Sequence, residues 1–165
     1  MDTASNPDQR FDPRAYRQAL GCFATGVAVV TTLTSEKKSI GMTINSFSSV
    51  SLDPPLVMWN LRVSSGAYQI FMDAPRFSIN LLSREQMDLS ARFATRETDK
   101  FDNLEVELGL GEIPLLPGCV ANFECTRTGH YMEGDHVLFI GRVDRFKAAP
   151  QGEPLVYCRG NYLVN

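Results

Sequence analysis

Between Gly41 and Pro55 the chain reads Gly-Met-Thr-Ile-Asn-Ser-Phe-Ser-Ser-Val-Ser-Leu-Asp-Pro-Pro, and six of the nine residues from Thr43 to Ser51 carry a short hydroxyl or amide side chain. Groups of this kind, together with backbone N–H donors held open, suit a phosphate or the polar edge of a flat heteroaromatic ring. A solvated linker has no use for the Met42, Ile44, Phe47 and Val50 interleaved among them. The plainer alternative is a Ser/Thr-rich loop whose side chains cap its own backbone. The paired prolines Pro54 and Pro55 stiffen the exit from the segment.

The rest of the chain is poor in catalytic side chains. His130 and His136 are the only histidines, and Cys22, Cys119, Cys125 and Cys158 form no CxxC pair and have no histidine at ligand spacing. A metal site is therefore not expected, nor a nucleophile–base triad. A net charge of −3 argues against nucleic acid as a partner, because phosphate neutralisation needs a basic surface. The opening residues lack the basic and apolar runs of a signal peptide, and no stretch approaches the roughly 20 apolar residues of a membrane span. The expectation is a cytoplasmic protein with four reduced thiols and no membrane partner.

At 165 residues the chain suits one domain: residues 1–10 as a mobile N-terminal tail, and 11–165 as a single folded unit. Asp12-Pro13 predicts a helix start, with Asp as N-cap and Pro in the first turn. Tyr16, Ala19, Leu20 and Phe23 follow on one helical face, and Gly26 can end it. The β-branched run 27–33 reads as a buried strand, returning through 35–39 as a hairpin into the polar segment. Residues 56–61 make another strand, with Trp59 near its end. Ser64-Ser65-Gly66 predicts the cap of a short helix bearing Tyr68, Ile70 and Phe71. A strand over 77–82 alternates Phe77, Ile79 and Leu81 with Ser78 and Asn80. Ser83 to Gln86 has the form of a capping box for a helix reaching about Phe93. Residues 95–111 read as charged and loosely helical, and strands are expected over 120–127, 136–148 and 155–158. Short strands at hairpin spacing with a few peripheral helices predict a mainly β, closed antiparallel barrel. No GxGxxG follows the first strand, so a Rossmann site is not indicated.

The polar segment resembles the flavin-binding stretch of the short-chain flavin reductases. The likeness continues through Gly26-Val27-Ala28-Val29-Val30-Thr31-Thr32, Phe77-Ser78-Ile79-Asn80-Leu81-Leu82, and Phe93-Ala94 with Lys100-Phe101. It runs on through Gly134-Asp135-His136, Gly141-Arg142-Val143 and Pro154-Leu155-Val156-Tyr157. It covers nearly the whole chain from Phe11. Ile44 stands where the family often has a smaller residue, and Trp59-Asn60 is an unusual strand ending.

The resemblance implies an FMN-binding split barrel, usually a homodimer with flavin near the subunit interface. It also implies NAD(P)H:flavin oxidoreductase activity: hydride passes from NADH or NADPH to FMN or FAD, and reduced flavin goes to a separate flavin-dependent monooxygenase. Flavin contacts are then expected from Thr43, Ile44, Asn45, Ser46, Ser48, Ser49, Val50 and Ser51. Lys100 becomes the expected partner of the flavin phosphate, with Ser64 and Ser65 as a second anion cradle. Phe77, Asn80, Phe93 and Phe101 occupy family positions beside the flavin, with Phe77 read first as a core residue and Asn80 as one that orients backbone or cofactor. Gly134, Asp135 and His136 would receive the nicotinamide, with His136 as the catalytic candidate.

Plainer readings stand beside these. Lys100 can belong to a solvated charged run, and His136 can be a half-buried residue after a Gly-Asp turn. Rival functions are a flavin-storing or electron-carrying module, a pyridoxamine-phosphate-oxidase-like flavoenzyme and, more distantly, a haem-binding barrel using His130 or His136.

Overall fold

The computed structural model describes residues 11–97, 99–149 and 151–163. The expected tail over 1–10 lies outside them. Helix α1 (Pro13–Leu20) is followed by strands β1 (Thr25–Gly26), β2 (Ala28–Leu33), β3 (Ser39–Ile44), β4 (Ser48–Leu52) and β5 (Pro55–Arg62). Next come α2 (Tyr68–Asp73), β6 (Arg76–Leu81), α3 (Met87–Ala94), β7 (Glu107–Leu108) and β8 (Pro114–Leu115). The long hairpin β9 (Ala121–Glu133) and β10 (His136–Ala148) leads to β11 (Val156–Cys158) and β12 (Asn161–Tyr162). No helix among the described residues is long and apolar enough to cross a membrane.

Seven strands form one antiparallel sheet in the order β3-β2-β6-β9-β10-β5-β4. Its two edges, β3 and β4, are consecutive in sequence, so residues 45–47 pass directly from one edge of the sheet to the other. Ser46 anchors that crossing. Its Oγ accepts the Asn60 N–H at 2.9 Å and lies 3.3 Å from the Asn60 carbonyl oxygen.

The curled sheet encloses one core. Ala28, Val30, Ile44, Val57, Trp59, Leu61, Phe77, Ile79, Cys125, Val137 and Phe139 meet there, with Phe71 of α2. Trp59 stacks on Phe139 at 4.7 Å and meets the edges of Phe71 and Phe77. Burying side chains of this size contributes roughly 1.5–3 kcal/mol each. A second core lies on the other face of β2, where Val27, Val29, Leu82, Phe93, Leu116, Cys119 and Leu155 pack under α3 and the C-terminal strands. Apolar cover on both faces explains why residues 28–32 are buried without alternation.

Local signals translate well. The Asp12 carboxylate accepts the Arg14 N–H at the start of α1, and both bonds of the Ser83–Gln86 capping box are present, opening a 3-10 turn that leads into α3. Two expectations change. Helix α1 ends at Leu20 with Gly21 as its cap, because Gly26 is taken into strand β1. The stretch 95–111 is not α-helical: its described residues run as turns into β7, where Gly109 approaches Glu124, and only a single 3-10 turn over Leu110–Glu112 follows.

Candidate functional site

The polar segment lies on the seam of the barrel. Thr43, still in β3, donates its hydroxyl to the Ser90 carbonyl of α3 at 2.7 Å. Asn45 is exposed, Ser46 binds the β5 backbone, and Ser48, Ser49 and Val50 are exposed along edge strand β4. A register shift between Ser49 and Ser51 makes a bulge that turns Val50 outward. Edge position and bulge together leave backbone donors of β4 without a neighbouring strand, as a polar ligand edge requires.

Two buried oxygen atoms beside this seam lack hydrogen-bond partners among the described residues: Asn60 Oδ1 and Thr25 Oγ1. Orphans of this kind cost about 1–3 kcal/mol each unless another group meets them. Thr25 and Asn45 share a cleft of about 660 Å³ with Arg17, Leu20, Cys22, Phe23, Tyr157, Arg159 and Gly160. That volume holds a heteroaromatic ligand. Leu20 and Phe23 stay 56% and 78% exposed at its rim, an apolar surface that nothing within the described chain covers. Of the residues expected from sequence, only Asn45 lines this cleft. Tyr157 and Arg159 were missed because they sit on the last hairpin, whose partner strand β1 is far away in sequence. The one local signal was Arg159-Gly160 between short strands: both residues take positive φ, 50° and 83°, in a two-residue turn.

Lys100 sits beside β3. Its Nζ donates to the Phe93 carbonyl at 3.0 Å and lies 3.4 Å from that of Gly41. Burial pushes the Lys100 pKa down from 10.5, with Glu97 opposing. An ammonium carries three donors, so one N–H remains for a ligand oxygen beyond these two carbonyls. Gly41 permits the approach of α3: a Cβ there would lie 2.4 Å from Phe93 Cε1 and 3.1 Å from Phe101 Cζ. Thr43, Lys100 and Phe101 thus share the α3 side of β3.

Gly134, at φ 59°, and Asp135 make the two-residue turn between β9 and β10. His136 Nδ1 lies 2.6 Å from Asp135 Oδ1, and Asp135 pairs with Arg62 at 3.6 Å. The bond to His136 holds the Asp135 carboxyl below its usual range, with the charges of His136 and Arg62 adding to it. A carboxylate only accepts, so Nδ1 carries the proton and Nε2 is left for another partner. His136 pairs with Arg62, two residues beyond the Leu138–Asn60 pair on which Ser46 is fixed. It shares the outward face of the sheet with Asn60, while Val137 and Phe139 point inward.

Three expected contacts, Ile44, Asn80 and Phe93, change character, and Phe77 packs in the core as its strand position allowed. Ile44 is 6% exposed, Phe77 2%, Asn80 0% and Phe93 0%. Their side chains lie in the barrel or under α3 and are not available to a ligand. Asn80 is a buried hub: Nδ2 donates to the Val29 carbonyl and Thr31 Oγ1, while Oδ1 accepts from Leu116 N and Asn122 Nδ2. Central strand β6 is covered on both faces, so a polar residue there must be satisfied by protein. Ser64 is exposed and does not cap α2. That helix starts at Tyr68 after Ala67, whose N–H is met by Ser65 Oγ instead. Trp59, fully buried, is a core residue.

The profile of the flavin reductase like domain matches residues 20–164. The FMN reductase (NADH) SmoA of Agrobacterium fabrum is 47% identical over 149 residues, which is 90% of this chain and 84% of that protein. The reductase component of the flavin-dependent trigonelline monooxygenase of Acinetobacter baylyi is 42% identical over 92% of this chain, which spans 48% of that protein's length. Among solved structures, the NADH:FAD oxidoreductase SgcE6 of Streptomyces globisporus, in complex with NAD and FAD fragments, superposes with a TM-score of 0.87 at 33% identity, covering 99% of this chain and 97% of that one.

Proposed function

Because this chain belongs to the flavin reductase like domain family, we propose that it takes hydride from NADH or NADPH and passes it to FMN or FAD. The observation that carries the reading is the seam itself. Orphaned Thr25 Oγ1 and Asn60 Oδ1 flank an exposed run of hydroxyl and amide groups beside a cleft of about 660 Å³. A flavin ring edge brings both N–H and C=O groups, and so can meet a hydroxyl and an amide oxygen at once. Bound there, the flavin supplies the redox chemistry, and the protein's share is binding and orientation. In this reading Asn45, Ser46, Ser48, Ser49 and Ser51 hold the polar parts of the flavin, and Lys100 meets its phosphate as a point charge. His136, fixed through Nδ1 by Asp135, presents Nε2 to the nicotinamide carboxamide and sets the approach of the hydride donor.

The reduced flavin passes to a separate flavin-dependent monooxygenase, the kind of partner named for the Acinetobacter relative. The working unit is a homodimer that covers Val50, Leu52 and Phe146, which are 48%, 93% and 68% exposed on β4 and β10. Residues 11–165 act as one domain, in the cytoplasm. The deciding experiment mixes purified protein with NADH or NADPH and FMN or FAD, and follows pyridine nucleotide oxidation. The expected result is rapid oxidation that saturates in flavin. A rate equal to that of free flavin would leave a binding module without catalysis.

A further inference from the structure

The cleft of about 660 Å³ is not uniform. Thr25 and Asn45 belong to the seam, where the flavin ring edge is placed above. The rest of the lining includes the rings of Phe23 and Tyr157, with Arg17 on α1 and Arg159 in the turn between β11 and β12. Five other arginines are paired with carboxylates. Arg17 and Arg159 are not, and no Asp or Glu lines the cleft among the described residues. Gly21 joins the two: its N–H donates to the Arg17 carbonyl at 2.9 Å, and its own carbonyl accepts the Arg159 N–H at 2.7 Å. Arg159 holds φ at 50°, where glycine or asparagine is less strained, so the turn by itself does not call for an arginine. Nor does the flavin phosphate account for these charges. Lys100, assigned to that phosphate above, lies on the α3 side of β3 and outside the lining of the cleft.

We propose that this part of the cleft binds the adenosine diphosphate moiety of a dinucleotide. Arg17 and Arg159 take the two phosphates, whose oxygens match the planar fork of a guanidinium. The purine stacks on the aromatic wall, where Phe23 is 78% exposed and Tyr157 is fixed by an edge contact with Tyr162 at 5.5 Å. In a chain of net charge −3, two unopposed cations in one cleft give an anion a local attraction that the overall field does not. FAD and NAD(P)H both carry adenosine diphosphate, one on the ring that the seam receives and the other on the ring that reduces it. Which dinucleotide brings it rests on the functional reading above; recognition of the moiety does not. FMN lacks the moiety and leaves both guanidiniums unused.

The test titrates adenosine diphosphate into the full chain by calorimetry, then into Arg17→Ala, Arg17→Lys and Arg159→Gly. Helix α1 buries none of its residues, and glycine suits a φ of 50°, so these changes spare the fold. The parent should bind saturably and more weakly as salt is added. The Kd should rise by about tenfold or more in Arg17→Ala and Arg159→Gly, and by less in Arg17→Lys, which keeps the charge without the fork. The same variants identify the source. If FAD brings the moiety, its Kd rises by about tenfold, while the Kd for FMN and the KM for NADH hold steady. If the pyridine nucleotide brings it, the KM for NADH rises with FMN as acceptor, and both flavin affinities hold. A parent that does not bind adenosine diphosphate overturns the proposal, as does binding that the substitutions leave unchanged. In an active enzyme, variants that move neither FAD nor NADH, or that weaken FMN as much as FAD, overturn the assignment to a dinucleotide. Arginine-dependent binding of adenosine diphosphate by a protein that neither binds FMN nor oxidises NADH would uphold the cleft and sink the functional reading.

Discussion

Lys100 offers the sharpest division between a ligand contact and a structural tie. Its ammonium already donates to the Phe93 carbonyl and lies within reach of that of Gly41, so Lys100→Ala removes a link between α3 and β3 whatever else it does. That loss should cost about 1 kcal/mol of stability. If the third N–H meets a flavin phosphate, the variant also loses a charge-assisted hydrogen bond, about 1.5–3 kcal/mol of binding. At 1.4 kcal/mol per decade this is a rise of about 10–150-fold in the FMN Kd. Riboflavin has the same ring and ribityl chain without the phosphate, and should bind the variant about as it binds the parent. Titration of both ligands by flavin fluorescence reads the difference directly. Burial holds the Lys100 pKa below 10.5, so the preference for FMN over riboflavin should fade as pH rises through that lowered value, before an exposed lysine would discharge. Lys100→Arg should retain most of the preference, since the charge persists. Parallel weakening of FMN and riboflavin would refute the phosphate role and leave Lys100 as a tie between α3 and β3.

His136→Ala should raise KM for NADH by about tenfold and leave FMN affinity within twofold; steady-state kinetics at varied NADH checks it, and an unchanged KM contradicts the nicotinamide role. Asp135→Asn, which keeps the turn but weakens the hold on Nδ1, should move KM in the same direction by a smaller factor. Gly141→Ala would put a Cβ 2.5 Å from Phe77 Cζ and 3.0 Å from Cys125 Cβ. Such overpacking costs about 1–3 kcal/mol, a fall of about 2–12 °C in Tm by thermal denaturation. Glu124 supplies an acid-sensitive element. Burial alone would raise its pKa, but the hydrogen bonds from Arg145 and the Leu110 N–H, with the charges of Arg145 and Arg76, bring it below 4.5. Its contribution to stability is therefore complete above pH 4.5 and lost as pH falls through the lowered value. Denaturant melts across that range should show a shallower acid dependence in Glu124→Gln than in the parent.

Much of the fold was legible because its signals are local. Asp12-Pro13 and the Ser83–Gln86 box carry capping chemistry within four residues, and the β-branched run 27–33 reads as a buried strand, which the structure forms over Ala28–Leu33. The candidate site was legible at its centre for a related reason: hydroxyl and amide groups crowded from Thr43 to Ser51 need partners that an ordinary strand does not supply. Side-chain type alone could not tell Asn80 from Asn45. Both are amides in polar-looking strand patterns, yet one closes four hydrogen bonds inside the barrel while the other faces the cleft.

What the sequence determined by itself was element type, the barrel class and the polar segment, all of which follow from backbone preference and hydrophobic period over short stretches. Tertiary structure alone decided which faces are covered. It buried Phe77 and Phe93 and left Leu20 and Phe23 open. It also brought Arg159 and Cys158 against residues more than a hundred positions earlier. Those juxtapositions depend on strand order and on closure of the sheet between β3 and β4, where partners far apart in sequence leave no periodic trace in either segment.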